Sequence, residues 1–338
     1  MSFLSDFQTQ TKHEKARGRC LHFANGYRCN GIISAHSIQK SGQLNLIAEN
    51  GHVYKLSVDI IQSTTVIHPK KIGVKKVSTF DGFCNHHDSQ LFKVIDETPL
   101  TPNSHQVSLY AYRSLCREYF VKENAVKVLL AVEGHQTLDE NRKALVAASL
   151  KGQTLGFERL KSHKSYYDNA LSSESYGEFE YVCFSSKSKC ALQLSGLLNP
   201  DFDFTGRHLQ DIGNWSSPLD LITFFTAPTI DGWAFCFAWH ASSSQTCLLF
   251  MQSLTDYVRN KGDLSDALFR LAISSCENHA IRISWWDQLS NQAKSEIFDR
   301  VVLMSAPGIP IPQNYLSSGC EGIATWDFEN VSTTLKTD

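Results

Sequence analysis

The chain has 338 residues, of which 42% are hydrophobic and only 20% charged; that is enough apolar material for two or three compact units, and it excludes disorder as the main state. No apolar run approaches the roughly 18–20 residues of a membrane-spanning helix, and the opening MSFLSDFQTQTKHEK lacks the basic-then-apolar order of a secretion signal, so a cytoplasmic protein is expected. The formal charge of -2 conceals an asymmetry: 11 Lys and Arg stand against 6 Asp and Glu in residues 1–90, and 21 against 28 in the remainder. A basic first stretch permits contact with a polyanion without demanding it.

Taken in order, residues 1–90 are rich in Gly, His, Ser and Lys and poor in long periodic helices. One short amphipathic helix is predicted from Ser41 to Asn50, with Leu44, Ile47 and Ala48 at helical spacing and Gly51 as its stop. From Ser104 apolar residues recur at three and four, which predicts a helix through Phe120 or a little beyond. A second is expected from Leu138 to Leu171, interrupted near Gly152 and Gly156, and the two should pair as a connector. Strands are predicted at Phe179–Phe184 and Cys190–Leu194, joined by a polar hairpin loop over 185–189. A central strand follows at Gly232–His240, with Trp233, Phe235, Phe237 and Trp239 on one side and Ala234, Cys236 and Ala238 on the other, and a return strand at Thr246–Met251. Helices resume at Leu254–Asn260, Leu264–Glu277 (capped by Asp263 or Ser265) and Ser284–Leu303, and Gly308, Pro310 and Pro312 end regular structure.

Of the ten cysteines in this large chain without an export signal, most should be reduced thiols. Cys183, Cys190, Cys236 and Cys247 lie among alternating apolar residues, where cysteine is a small buried hydrophobe. Cys20, Cys29, Cys84 and His87 are different, because a module with few apolar side chains needs a staple and such a set is the usual tetrahedral zinc arrangement. Only Cys84 and His87 have tight spacing; LHFANGYR separates Cys20 from Cys29, and His22 and His86 are rival ligands.

Between the halves of this set lies Ile32-Ile33-Ser34-Ala35-His36-Ser37-Ile38-Gln39-Lys40-Ser41-Gly42. Here the sequence resembles the HNH, or ββα-metal, endonucleases, in which a treble-clef zinc motif frames a histidine in a D-H-I-x-P or A-H-I-x-P setting. Cys84-Asn85-His86-His87-Asp88 matches the family's later C-x-x-C-H stretch if His87 stands for its second cysteine and Asp88 for its metal-binding histidine. The resemblance extends to a bacterial pattern marked by AHSIQKSG, IAENGHVY, STFDGFCNHHDSQLF and AYRSL, and covers about the first 120 residues. It implies that His36 activates water, that Asp88 helps hold catalytic Mg2+ or Mn2+, and that the activity serves defence against phage or other foreign DNA. Two departures stand out. Ala35 occupies the place of a metal-binding aspartate, and no asparagine takes the motif's middle position, although Asn50, Ser78 and Thr79 lie in the intervening segment.

Each residue has a plainer alternative. His36 could hydrogen-bond within the module, Asp88 could offset exposed amides at a helix start, and His52 follows a turn into a strand. Lys70, Lys71, Lys75 and Lys76 form a basic loop that tracks phosphates or is simply solvated. The second half shows no nucleophile elbow, P-loop or dinucleotide fingerprint, and Trp285-Trp286 is explained by packing. The expectation is therefore an α+β protein with an HNH-like zinc module over 1–102, a helical connector over 103–175 and an α+β recognition or regulatory domain over 176–338. It would cleave nucleic acid, DNA above all, with structural zinc and catalytic Mg2+ or Mn2+. The alternative is a zinc-stabilised module that binds nucleic acid or a protein without hydrolysis. A third reading assigns function to the last domain through an exposed aromatic patch around Trp233 or Trp285.

Overall fold

A computed structural model describes residues 2–61, 64–214, 216–305 and 311–336, so the stop signals at Gly308 and Pro310 lie outside the described residues. The fold is mixed α+β. It opens with helix α1 (Phe3–Ala16), capped by Ser2, whose hydroxyl accepts from the Ser5 amide. Its weak apolar stripe of Phe3, Leu4 and Phe7 explains why periodicity did not predict it. Strand β1 (Ile32–His36) follows. In place of the amphipathic helix expected over 41–50 stand a π-helical turn, Lys40–Leu44, and the short α2 (Asn45–Ile47).

At Asn50 and Gly51 the backbone turns left-handed, with φ of 50° and 71°, and β2 (His52–Ile61) and β3 (Thr64–Gly73) form a long hairpin. Strand β4 (Thr79–Cys84) then returns to pair antiparallel with β1, Ile32 opposite Cys84 and His36 opposite Thr79. Helices α3 (Asn85–Leu91) and α4 (Lys93–Glu97) complete a β-β-α unit.

Helix α5 (Ser104–Val132) is capped by Asn103 and runs well beyond the expected end at Phe120. Every residue from Gln106 to Cys116 is buried, so this stretch is an internal axis with no solvent face. Helix α6 (Glu140–Ser172), capped by Asp139, packs on it and passes through Gly152 and Gly156 without interruption. A buried polar group joins the pair to the first module. The Tyr112 hydroxyl lies 3.0 Å from the Leu21 carbonyl and 2.7 Å from the Asp168 carboxylate, which also accepts from Lys164 Nζ.

The remaining elements are β5 (Phe179–Ser186), β6 (Leu192–Leu198), β7 (Ile222–Pro228), β8 (Trp233–His240), α7 (Ser244–Arg259), α8 (Leu264–Ser275), β9 (His279–Ile281), α9 (Ile283–Gln288), α10 (Asn291–Ser305) and β10 (Asn330–Thr333). Their sheet runs β10-β5-β8-β7-β6-β9-β2-β3, antiparallel throughout. The stretch 185–189 therefore closes no hairpin, because β5 pairs with β8 and β10 while β6 pairs with β7 and β9. Nor does a strand return at 246–251: Thr246, Cys247, Phe250, Met251 and Leu254 form the buried stripe of α7. The helix expected over 284–303 is two, α9 and α10, while Asp263 does cap α8.

Strand β8 is buried along its length, as its two apolar faces predict. Trp233, Phe235, Phe237 and Trp239 enter one core with α7 and α8; Ala234, Cys236 and Ala238 enter a second, where small side chains let α5 approach. Trp233 is thus interior and Trp285 half-buried against Phe269, so the aromatic patch of the third reading does not form around Trp233. Packing crosses the boundaries expected at 102 and 175. Ile38, Leu44, Ile47, Val53, Leu56, Val74 and Val77 belong to the first core, and Phe80, Phe83, Phe92 and Ile95 to the second. No helix among the described residues is long and apolar enough to cross a membrane.

Candidate metal centre and adjoining cavity

Two stretches far apart in sequence meet at the end of the β1–β4 ribbon. The chain around Cys20 runs beside β4, with the Arg19 and Leu21 amides donating to the Asp81 and Gly82 carbonyls, and then loops through left-handed Gly26 and Arg28 to Cys29. Cys84 ends β4 and caps α3, its sulfur accepting from the His87 amide at 3.4 Å, and His87 follows one turn later. The result brings the sulfurs of Cys20, Cys29 and Cys84 to 3.3, 3.4 and 3.4 Å from His87 Nδ1, with all four donor atoms within 4.8 Å of one another.

These four side chains could hold a metal ion, and the set is compatible with structural zinc. Zn–S near 2.3 Å and Zn–N near 2.0 Å at a tetrahedral angle place sulfur about 3.5 Å from nitrogen. Hydrogen bonding alone accounts poorly for the cluster, since one imidazole nitrogen offers a single donor or acceptor site to three sulfurs. Backbone amides already point at the sulfurs: Gly26 donates to Cys29 at 3.3 Å. Burial raises the Cys20 thiol to about 11. Burial pushes Cys84 up as well, but hydrogen bonds from the His87 and Asn30 backbone bring it below the ordinary range. Burial also keeps His87 neutral, the form that ligates, while the Tyr27 backbone bonds to its ring. The rival ligands stand outside: His22 stacks on His87 at 4.0 Å and accepts from the Ala24 amide, and the His86 amide donates to Asn30.

Next to this cluster is a cavity of about 390 Å³ whose lining includes Ala35, His36, Lys40, Asp88, Asp96 and Arg113. His36, at the end of β1, has Nε2 2.9 Å from the Val74 carbonyl; that nitrogen carries the hydrogen, and Nδ1 keeps its lone pair. Burial lowers its pKa below the usual 6.5. Asp88 sits in the first turn of α3, but the capping role belongs to Cys84, and Asp88 Oδ1 is buried with no partner among the described residues. Burial raises the Asp88 pKa; Arg113 opposes that rise and Asp96 adds to it. Arg113 donates from Nη1 and Nη2 to the two oxygens of Asp96 at 2.8 and 2.7 Å. Asp96 and Arg113 were missed as site residues; Arg113 lies in the AYRSL stretch, which reads as one turn of an apolar helix, and Asp96 carried no signal.

The lysines do not form a single loop. Lys70 and Lys71 lie in β3, opposite Lys55 and Tyr54, and as successive strand residues they point to opposite faces. Lys75 and Lys76 occupy the turn after Val74, whose carbonyl holds His36, and neither lines the cavity. All four are exposed. His52 bonds to the Asn50 carbonyl through Nδ1, in keeping with its structural reading. Compared with known families, curated proteins and solved structures, the chain shows no significant match in any of the three.

Proposed function

We propose that this chain is a metal-dependent nuclease, in which residues 20–91 form a zinc-stabilised treble-clef unit of the ββα-metal kind. One observation carries the reading: His36, with a free lone-pair nitrogen, and Asp88, with a buried oxygen lacking any partner, line the same cavity. His36, neutral at pH 7 and oriented by Val74, takes a proton from water at Nδ1. Asp88 is the group that would hold Mg2+ or Mn2+, an orphaned carboxylate oxygen being suited to a hard cation. Such a cation supplies neutralisation of charge on the phosphodiester. Lys75 and Lys76, exposed in the turn after Val74, would supply contacts to flanking phosphates, and a role in defence against foreign DNA rests on the sequence resemblance alone.

A second reading, binding without hydrolysis, is favoured by two observations. Ala35 lines the cavity where an aspartate would ligate, and both oxygens of Asp96 are engaged by Arg113. Purified protein incubated with plasmid, linear DNA and RNA in Mg2+ or Mn2+ separates the two. His36→Ala should lower the cleavage rate by roughly 10²-fold or more. Cleavage that survives the substitution removes His36 as base, and retention of nucleic acid by the wild type without any cleavage supports the second reading.

A further inference from the structure

Arg113 is a buried group that the chemistry above leaves unused. It belongs to the AYRSL stretch on α5, is only 2% exposed, and lines the cavity shared by His36 and Asp88. A guanidinium carries five N–H donors and no acceptor. Asp96 takes two of them, and the Phe92 ring lies against the group with its centroid 4.0 Å from Cζ. Nε–H is sealed from solvent and has no acceptor among the described residues. An ion pair serving only to stabilise the fold would be expected to satisfy that donor, because a buried N–H without a partner costs about as much as the hydrogen bond it lacks. The group is also held rigid by three different elements, with Asp96 on α4, Phe92 at the end of α3 and its own backbone on α5. A guanidinium fixed in that way, with donors beyond the two that Asp96 takes, is pre-organised for an oxyanion, and the cavity it lines carries the Lys40 cation and Ser41 beside the Asp88 and Asp96 carboxylates.

The geometry points to Arg113 as the residue that binds an oxyanion of the substrate, a phosphate group entering the cavity between the connector helix and the β1–β4 ribbon. Its attribution to a nucleic-acid phosphodiester rests on the nuclease reading; the anion contact does not. Full-length wild type, Arg113→Lys and Arg113→Gln are titrated calorimetrically with inorganic phosphate and with a short DNA duplex, Ca2+ replacing Mg2+ to prevent turnover. Metal content and melting temperature are read on the same samples.

Arg113→Gln should weaken duplex binding by about tenfold or more, the size of one lost charge-assisted contact, with Arg113→Lys intermediate and the metal retained. Loss of affinity for the duplex alone marks a phosphodiester, and loss for both probes marks a general phosphate site; either supports the contact. Should Arg113→Gln fail to fold, Arg113→Lys, which keeps the charge beside Asp96, decides. Unchanged affinity in a folded variant, or no binding of either probe by the wild type, overturns the inference. Arg113-dependent binding without hydrolysis sinks only the nuclease reading, whereas His36-dependent cleavage with KM indifferent to Arg113 sinks only this one.

Discussion

At the scale of single residues, the Cys/His cluster and the cavity differ in what the sequence could reveal. The two-residue spacing of Cys84-x-x-His87 is a ligand signal by itself, and the structure places Cys20 and Cys29 against it. Asp96 and Arg113 carry no such signal, because a carboxylate on a four-residue-period surface and an arginine in an apolar helix are common features; only their meeting in space makes them part of a site. The cluster's own test is compositional. Cys84→Ser removes a sulfur ligand while leaving a hydroxyl that can still cap α3, so bound zinc should fall from about one equivalent per chain to a small fraction of that without loss of the helix start. His22→Asn and His86→Asn should keep it. The loop from Cys20 to Cys29 buries only Cys20 and Leu21, so without metal it loses its anchor and trypsin should cut after the exposed Arg28. Full metal content in Cys84→Ser, by elemental analysis, would show that the cluster is not the ligand set.

At the scale of elements, readings succeeded where one periodicity had no rival. The eight residues of β8 alternate bulky and small side chains, and the sheet buries both faces accordingly. They failed where a short apolar run fits two periods: 246–251 alternates well enough to suggest a strand but belongs to the stripe of α7. Pairing was legible least, since nothing local says that β5 skips β6 to join β8, or that the β2–β3 hairpin extends the far end of the sheet. That junction is narrow, a single Tyr54–Ile281 pair, and His279 reinforces it. Its Nδ1 donates to the Cys276 carbonyl at 2.8 Å and its Nε2 accepts from the Leu56 amide at 3.2 Å, which requires the neutral ring. Burial, together with Lys55 and Arg117, lowers its pKa to about 4 from 6.5. Below pH 6.5 the unfolded chain binds the proton and the folded one does not, so the stabilisation is complete above that value and is lost as pH falls towards 4. The loss should reach about 3 kcal/mol. Urea unfolding between pH 7 and 4 should show a steeper decline in wild type than in His279→Gln, and parallel declines would show that another group dominates.

At the scale of the whole molecule, the question is whether the first module could be an independent device, as a division at residue 102 implies. Its ββα unit rests on α5, whose buried turns separate it from the sheet, and its hairpin is the last pair of strands in that sheet. Seven of its aliphatic side chains, from Ile38 to Val77, belong to the core shared with β6, β8 and α8. Burying a side chain of this size contributes about 1.5–3 kcal/mol, so up to roughly 10–20 kcal/mol of burial in that module depends on elements beyond residue 176. Domain stability is itself only about 5–15 kcal/mol. A metal ion held by Cys20, Cys29, Cys84 and His87 would order its own surroundings but could not replace the apolar core that Ile38 to Val77 share with the sheet. A fragment of residues 1–102 supplied with zinc should therefore bind the ion yet give poorly dispersed amide spectra and no cooperative melt, while the full chain unfolds in one calorimetric transition. Two separated transitions, or a well-dispersed spectrum from the fragment, would show that the shared core is dispensable and that the module stands alone.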